Sequence, residues 1–496
     1  MFLIRFILVI LWDGIKLKLS VKANAILNFL KTTILLIFPL ITFPYISRIL
    51  GVELLGRYNY SYSIVSYFIL FAGLGISTYA VREGSKIRDN KQLFQEFATE
   101  IFSINFYSSL LSFVLLYLSM FFIKELCLYK FEIIILSFEV IIVFLNLDWL
   151  FSIFEDFFVI TIRSIVINII SVILIFIFVK SRDDLLVYLS IVSFTKVITN
   201  VYNYYFSRKI IKLHISFRLR LKKHIKPILI IFSTSIAITI YMNSDITMLG
   251  LLTNDYYVGL YSMASKIYSI FKNLLVSILV VMIPRFSILS EKNDNAELCK
   301  YFKKVFNILL TLLFPSILGM IFFSKEVIMF IGGVDYVNSV FTFQILLIAA
   351  IFSLFSYLYT QCIIIPMRME KYFFIATIIS ACVNLLLNFL LIPIWQDKAA
   401  AFTTLISEII VFLIMYFISQ KKVKIKNNLK YILYIFFGSI LVLSVCVLIK
   451  KFFNNDSLVF LLSVFSSICV YIFYLFFTKN KYFFDFFKSM KKKRCQ

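Results

Sequence analysis

The chain has 496 residues, 61% hydrophobic and 15% charged, with a mean hydropathy of +0.96. No single core hides that much apolar surface from water, so a soluble globule is excluded and the bilayer must be the solvent. The net charge of +24 invites a nucleic-acid reading, but the basic residues fall in alternate loops between apolar runs, which marks membrane topology instead.

The apolar runs are about 20 residues long, enough for a helix to cross a ~30 Å hydrocarbon layer. Ile165 to Val179 and Leu458 to Phe477 are almost continuously apolar, which fits helices and not the alternating strands of a barrel. About fourteen helices are expected, starting near residues 24, 57, 97, 131, 157, 184, 227, 258, 305, 341, 372, 399, 431 and 458. The expected fold is an all-α polytopic membrane protein of two pseudo-symmetric six-helix lobes plus two C-terminal helices. Its divisions are an interfacial segment (1–23), an N-lobe (24–206), a basic cytoplasmic loop (207–226), a C-lobe (227–419), the last two helices (420–478) and a basic tail (479–496).

In chain order, Phe2 to Trp12 is too short to span and lacks a cleavage site before Lys16, Lys18 and Lys22, so it reads as interfacial. In the first span Asn24, Asn28 and Lys31 follow i, i+4, i+7 spacing above Pro39 and Pro44. Such a face is costly in lipid unless it looks into a cavity; for Lys31, snorkelling to the near interface is an equal reading. Arg82, Lys86, Arg88 and Lys91 form the first basic loop. The fourth span carries Asp148, and the loop at Glu155 and Asp156 departs from the basic pattern. Further basic segments follow at Arg208 to Lys226, Arg285 to Lys304, Lys421 to Lys430 and Lys491 to Arg494, while the opposite loops hold at most two basic residues each. The positive-inside rule then puts both termini in the cytoplasm.

His214 and His224 have no cysteine neighbours, and the seven cysteines show no paired spacing, so neither a metal site nor a disulfide framework is expected. The seventh span carries Ser235, Thr239 and Asn243 on one face with Asp245 beside them. A carboxylate there pairs with a lysine, binds a coupling cation or approaches the interface; engagement with a cation is favoured. In the eighth, Ser262, Lys266, Ser269 and Asn273 share a face, with Lys266 roughly 12 Å from the outer end, where snorkelling is strained. Lys272 lies on another face with no assigned role. Asn384 and Asn388 read as interhelical glue, and Glu408 and Asp148 are lesser candidates for the role of Asp245. Embedded lysines point to an anionic substrate, because an ammonium in a low-dielectric cavity attracts phosphate strongly.

A faint repeat supports two lobes. Ile49-Leu50-Gly51, then Gly56, Tyr58, Ile64, Ser66 and Phe68, is echoed by Met248-Leu249-Gly250, then Gly259, Tyr261, Ile267, Ser269 and Phe271. Six spans separate the copies, so the halves would share one orientation about an axis along the membrane normal.

The stretch Phe43 to Gly51, with Gly56, Arg82 and Arg88, resembles the opening of Wzx-type polysaccharide flippases, of the multidrug/oligosaccharidyl-lipid/polysaccharide exporter superfamily. Asn243 to Gly250, Val258 to Tyr261, Gln361 through Pro366 to Lys371, and Asn384 through Pro393 to Glu408 are similar too. One departure is Trp395-Gln396-Asp397-Lys398-Ala399-Ala400-Ala401, where the family usually has a glycine-rich turn. The resemblance implies alternating-access flipping of undecaprenyl-pyrophosphate-linked oligosaccharide across a bacterial inner membrane for capsule, O-antigen or exopolysaccharide assembly. It implies headgroup contacts at Arg48 and Arg82 beside Lys31, Lys266, Asn28 and Asn243, and coupling to a proton or sodium gradient, with Asp245, Glu408 and Asp148 as candidates. No cofactor and no nucleic acid are expected; membrane lipids and the polysaccharide polymerase machinery are the expected partners.

Two other functions compete. A cation-coupled exporter of small molecules shares the twelve-helix core, and the two extra helices weigh against it. A glycan polymerase would be expected to display a large outer loop with catalytic residues, whereas Ser324 to Val340 offers only Lys325, Glu326 and Asp335.

Overall fold

The computed structural model describes residues 21–217, 220–280, 282–292, 294–423, 429–452, 456–478 and 480. The expected interfacial segment Phe2 to Trp12 and the tail Lys491 to Arg494 lie outside the described residues. Among the described residues there is no strand, and 11 helical stretches are long and apolar enough to cross a membrane. Two of these are double. Val21–Gly73 bends at Gly51 into α1 (21–50) and α2 (52–73), and Glu370–Lys422 bends at Gln396 into α11 (370–395) and α12 (397–422). With the shorter apolar stretch Leu462–Phe477, the membrane-crossing helices among the described residues number fourteen.

The others are α3 (Lys91–Phe122), α4 (Lys130–Ile141 continuing as Asp148–Ile153), α5 (Phe157–Phe178), α6 (Leu185–Ser207), α7 (Leu221–Leu252), α8 (Asp255–Val280), α9 (Asn295–Phe322), α10 (Val340–Tyr359), α13 (Leu429–Phe452) and α14 (Asp456–Phe477). Several begin earlier than their apolar cores because caps extend them into polar sequence. Asn90 accepts from the Leu93 N–H at 3.1 Å and Asp294 from the Glu297 N–H at 2.9 Å, each satisfying an otherwise unpaired first-turn donor.

Large apolar side chains face outward as well as inward, and small polar ones join them in the interior. Phe473, Phe389 and Leu111 are each at least 60% exposed, while Ser61, Ser380, Thr403 and Asn388 are fully buried. Lipid is as apolar as leucine, so small and polar residues that pack or hydrogen-bond take the interior.

The two bends solve one problem differently. Gly51 has φ +75° and Gln396 has φ +49°. Glycine adopts the first without a Cβ penalty, whereas glutamine carries one. The departure from a glycine-rich turn is thus a backbone strained at Gln396, followed by Asp397, which is 2% exposed and accepts a short hydrogen bond from Thr342. The sequence echo holds only from its second glycine, since Gly56 and Gly259 lie near the starts of α2 and α8, whereas Gly250 lies inside α7.

The chain separates into two compact units, Met1–Thr247 and Met248–Gln496. In the first, the α1–α2 stretch packs on α3, α4 and α5, and α6 on α4 and α5; in the second, α10 packs on α8 and the α11–α12 stretch, and α13 on α9 and α14.

Candidate functional site

The polar interior of the first unit starts from a break in α4. The α-helix stops at Ile141, a short 3-10 turn covers Val143–Leu145, and a second segment begins at Asp148. The Val143 carbonyl accepts the Asn146 N–H at 2.9 Å and the Asn105 amide at 3.4 Å. One turn before the break, Glu139 is 4% exposed and accepts from the Lys196 ammonium at 2.6 Å. Lys196 also donates to the Tyr62 hydroxyl at 3.1 Å. Beyond the break, Asp148 accepts from Arg163 at 3.1 Å and from the Asn203 amide at 3.0 Å. Arg163 is 2% exposed, a depth a guanidinium tolerates only when paired.

Lys196 and Asn203 share a face of α6 at i, i+7, so they form two successive rungs to α4. Between the rungs lies a cavity of about 460 Å³ whose walls include Tyr62, Asn105, Glu139, Asp148, Lys196 and Asn203. Two carboxylates and two cations balance its charge.

Along α2 and α7, the Asn243 amide donates to Ser66 at 3.2 Å, and Thr247 donates to Ser63 and bonds Tyr67, both at 3.1 Å. Asp245 is buried. At the basic end of the same unit, the fully buried His224 bonds the Tyr79 hydroxyl through Nδ1 at 2.8 Å and Glu100 through Nε2 at 2.6 Å. This ties the start of α7 to α3 and to the short helix Ile76–Ile87.

In the second unit Glu408 on α12 is 5% exposed, and its Oε1 accepts from Ser353 at 2.8 Å, Lys272 at 3.3 Å and Tyr268 at 3.4 Å. The face of Lys272, unassigned in the sequence, is the one that meets an acid. Asn388 donates to Asn384 at 3.1 Å and accepts from Thr403 at 2.5 Å, which ties α11 to α12 as interhelical glue does. Lys266 is exposed and makes no hydrogen bond or ion pair among the described residues.

Of the remaining sequence candidates, Arg48 is exposed. Arg82 is exposed, donates to Glu83 at 3.0 Å and lies 6.0 Å from the Tyr79 ring. Asn28 and Lys31 fall on α1, but their side chains, like that of Asn24, lie outside the described residues. The exceptional acidic loop is explained by Arg88, which donates to Glu155 at 3.0 Å. The residues that sequence reasoning passed over are Tyr62, Asn105, Glu139, Arg163, Lys196 and Asn203. Lys196, Asn200 and Asn203 follow the i, i+4, i+7 spacing that singled out the eighth span, and the same test on the sixth span finds them.

The model of the polysaccharide biosynthesis protein family matches residues 21–290, and no curated protein matches the chain. Among solved structures, the chain is similar to the lipid II flippase MurJ in an inward closed conformation. Identity is 19%, over 92% of this chain and 99% of that one, with a TM-score of 0.74. An inward-facing multidrug resistance MATE family transporter of the MOP superfamily is similar at 12% identity, covering 84% and 98%, with a TM-score of 0.58. The outward-facing form of such a transporter matches at 14%, covering 81% and 96%, with a TM-score of 0.54. At these identities the likeness speaks for the fold, and the family model, matching more than half of the chain, speaks for kinship. This multi-pass membrane protein therefore belongs to the polysaccharide biosynthesis protein family, in agreement with the Wzx-type resemblance in its sequence.

Proposed function

We propose that the chain flips undecaprenyl-pyrophosphate-linked oligosaccharide from the cytoplasmic to the outer leaflet of a bacterial plasma membrane by alternating access, with both termini cytoplasmic. The observation that carries this reading is the family match over residues 21–290 on a fold that follows a lipid II flippase over 92% of the chain. The multidrug transporters follow it over less of its length. The flippase named in that match acts, by its name, on lipid II; here the proposed substrate is a lipid-linked oligosaccharide, destined for capsule, O-antigen or exopolysaccharide.

An anionic headgroup needs cations that are not already spent on carboxylates of the chain. Lys266 meets that condition. Lys31, Arg48 and Arg82 are the further cations of the proposed headgroup site, Arg82 by exchanging its exposed partner Glu83 for the headgroup, with Asn28 and Asn243 as polar contacts, Asn243 giving one amide hydrogen to Ser66. Coupling to a proton or sodium gradient falls to Asp245, Asp148 and Glu408. The polymerase machinery would receive the flipped lipid.

The test is translocation of a fluorescent undecaprenyl-pyrophosphate oligosaccharide in proteoliposomes, with and without a proton or sodium gradient. Transport above protein-free vesicles is expected. Folded protein that moves no glycan but exports small drugs or metabolites would establish the second reading, a cation-coupled small-molecule exporter, whose fold is similar to this one. Orientation is checked by cysteine labelling, and a residue of the Arg208 to Lys226 segment labelled from outside would reverse it.

A further inference from the structure

We propose that the cavity of the first unit holds a sugar residue of the substrate against its open polar wall, formed by Ser77, Asn146, Lys196 and Asn200. This deepens the function proposed above by giving the glycan a place apart from its pyrophosphate. It rests on that reading for its role in transport, although sugar binding itself does not.

The cavity wall has a sealed part and an open part. Asn105 Oδ1, Asn203 Oδ1 and Glu139 Oε1 are closed off from solvent, so an entering solute meets other groups. Lys196 and Asn200 share a face of α6 at i, i+4, and the Lys196 side chain is 41% exposed. Its ammonium directs two hydrogens to Glu139 and Tyr62 and has a third to donate. Asn200 is half-buried, and its amide makes no hydrogen bond among the described residues; neither of its polar atoms is sealed. Asn146, in the break of α4, is exposed. Its oxygen accepts the Asp148 N–H at 3.4 Å, and its amide hydrogens have no partner among the described residues. Ser77 is also exposed, with a hydroxyl that makes no hydrogen bond among the described residues. Leu70 and Val143 add apolar surface to the same wall.

Three classes of ligand ask for three kinds of wall. An anion needs donors, a hard metal ion needs oxygen acceptors, and a sugar hydroxyl both donates and accepts. Here Lys196 and Asn146 donate, while Ser77 and Asn200 do both. Charge agrees with this mixture. Glu139 is balanced by Lys196 and Asp148 by Arg163, so a pyrophosphate entering the cavity would meet two carboxylates as well as the cations already paired with them. A sugar ring is neutral, with hydroxyls around its rim and C–H groups on its faces, and the polar side chains beside Leu70 and Val143 suit both. At about 460 Å³ the cavity falls in the range of small-ligand pockets, about 300–1,000 Å³, with room for bridging water around a single sugar.

The experiment uses the full chain purified in an amine-oxide detergent, which carries no sugar headgroup. Saturation-transfer NMR reads binding of the methyl glycosides of glucose, galactose, rhamnose and N-acetylglucosamine, with inorganic pyrophosphate as the anionic contrast. Saturable binding of at least one glycoside, not displaced by pyrophosphate, is expected. Asn200→Ala should weaken it about ten-fold without lowering the unfolding temperature, since that amide has no partner to lose among the described residues. Asn200→Trp, which fills the cavity, should abolish it, and Ser444→Ala, exposed on α13 in the second unit, should leave it intact. Binding of none of the four glycosides would overturn the proposal and leave a cavity filled by water. So would displacement by pyrophosphate, or affinity unchanged in Asn200→Ala, which decides the matter if Asn200→Trp does not fold. These readings need no lipid-linked substrate and stand apart from flipping: sugar binding without transport sinks the flippase reading alone, and transport by a protein that binds no glycoside sinks the sugar site alone.

Discussion

Each compact unit sets a partly exposed lysine against a buried glutamate within apolar sequence, yet the two pairs are built differently. In the first unit Lys196 comes from α6, Glu139 from α4 and Tyr62 from α2. In the second, Lys272 and Tyr268 come from α8, Glu408 from α12 and Ser353 from α10. Glu408 gathers three donors on one oxygen, and the Lys272 side chain is 29% exposed. Glu139 keeps an oxygen unpartnered beside a cavity of about 460 Å³, and the Lys196 side chain is 41% exposed. A carboxylate closed in by its own chain locks three helices together. One that takes a single ammonium and keeps its other oxygen unpartnered holds its helices less tightly. The same residue types therefore tie a tighter knot in one unit than in the other.

Removing the acid from the closed pair should have the largest effect. Glu408→Ala removes the acceptor shared by Ser353, Lys272 and Tyr268 and should cost about 3–5 kcal/mol, read as a large fall in unfolding temperature. Adding Lys272→Met should recover most of the loss, and a double variant as unstable as the single would show that the pair is not the knot. Glu139→Ala should cost less, about 1–3 kcal/mol, because Glu139 takes only the Lys196 ammonium whereas Glu408 takes three donors, and Lys196 is the more exposed lysine. Equal losses for the two acids, measured by the same unfolding assay, would erase the contrast between the units.

The two bends sharpen it on a smaller scale. Gln396→Gly should stabilise by roughly 1 kcal/mol by removing a Cβ from a positive-φ position, and an unchanged or lower unfolding temperature would show that the glutamine side chain earns its strain. Lys266→Ala should shift stability least, within about 0.5 kcal/mol, because that lysine has no partner to lose among the described residues. It should nevertheless impair flipping in proteoliposomes. Normal transport by this variant would remove Lys266 from the headgroup site.

Fourteen helices, their order and their approximate starts were legible without coordinates. Hydrocarbon thickness sets the length of a span, and lipid forces each backbone group to pair within its own helix, so hydropathy along the chain is almost the whole signal. The break in α4 was not legible, because Ile142-Val143-Phe144-Leu145 reads as more of the same apolar run and only Asp148 hints at it. Lys266 was singled out by its spacing, while Lys272, six residues on, had no visible purpose.

What the sequence by itself determined is the membrane class, the helix count, the alternation of basic loops and a family likeness, all carried by neighbours in the chain. What only the tertiary structure decided is which charges meet. Lys272 and Glu408 are 136 residues apart, and Lys196 and Glu139 are 57 apart. Helical spacing says which residues share a face, but only packing says what that face looks upon. Coulomb attraction in a low dielectric depends on that last few ångströms, a distance that no single helix contains.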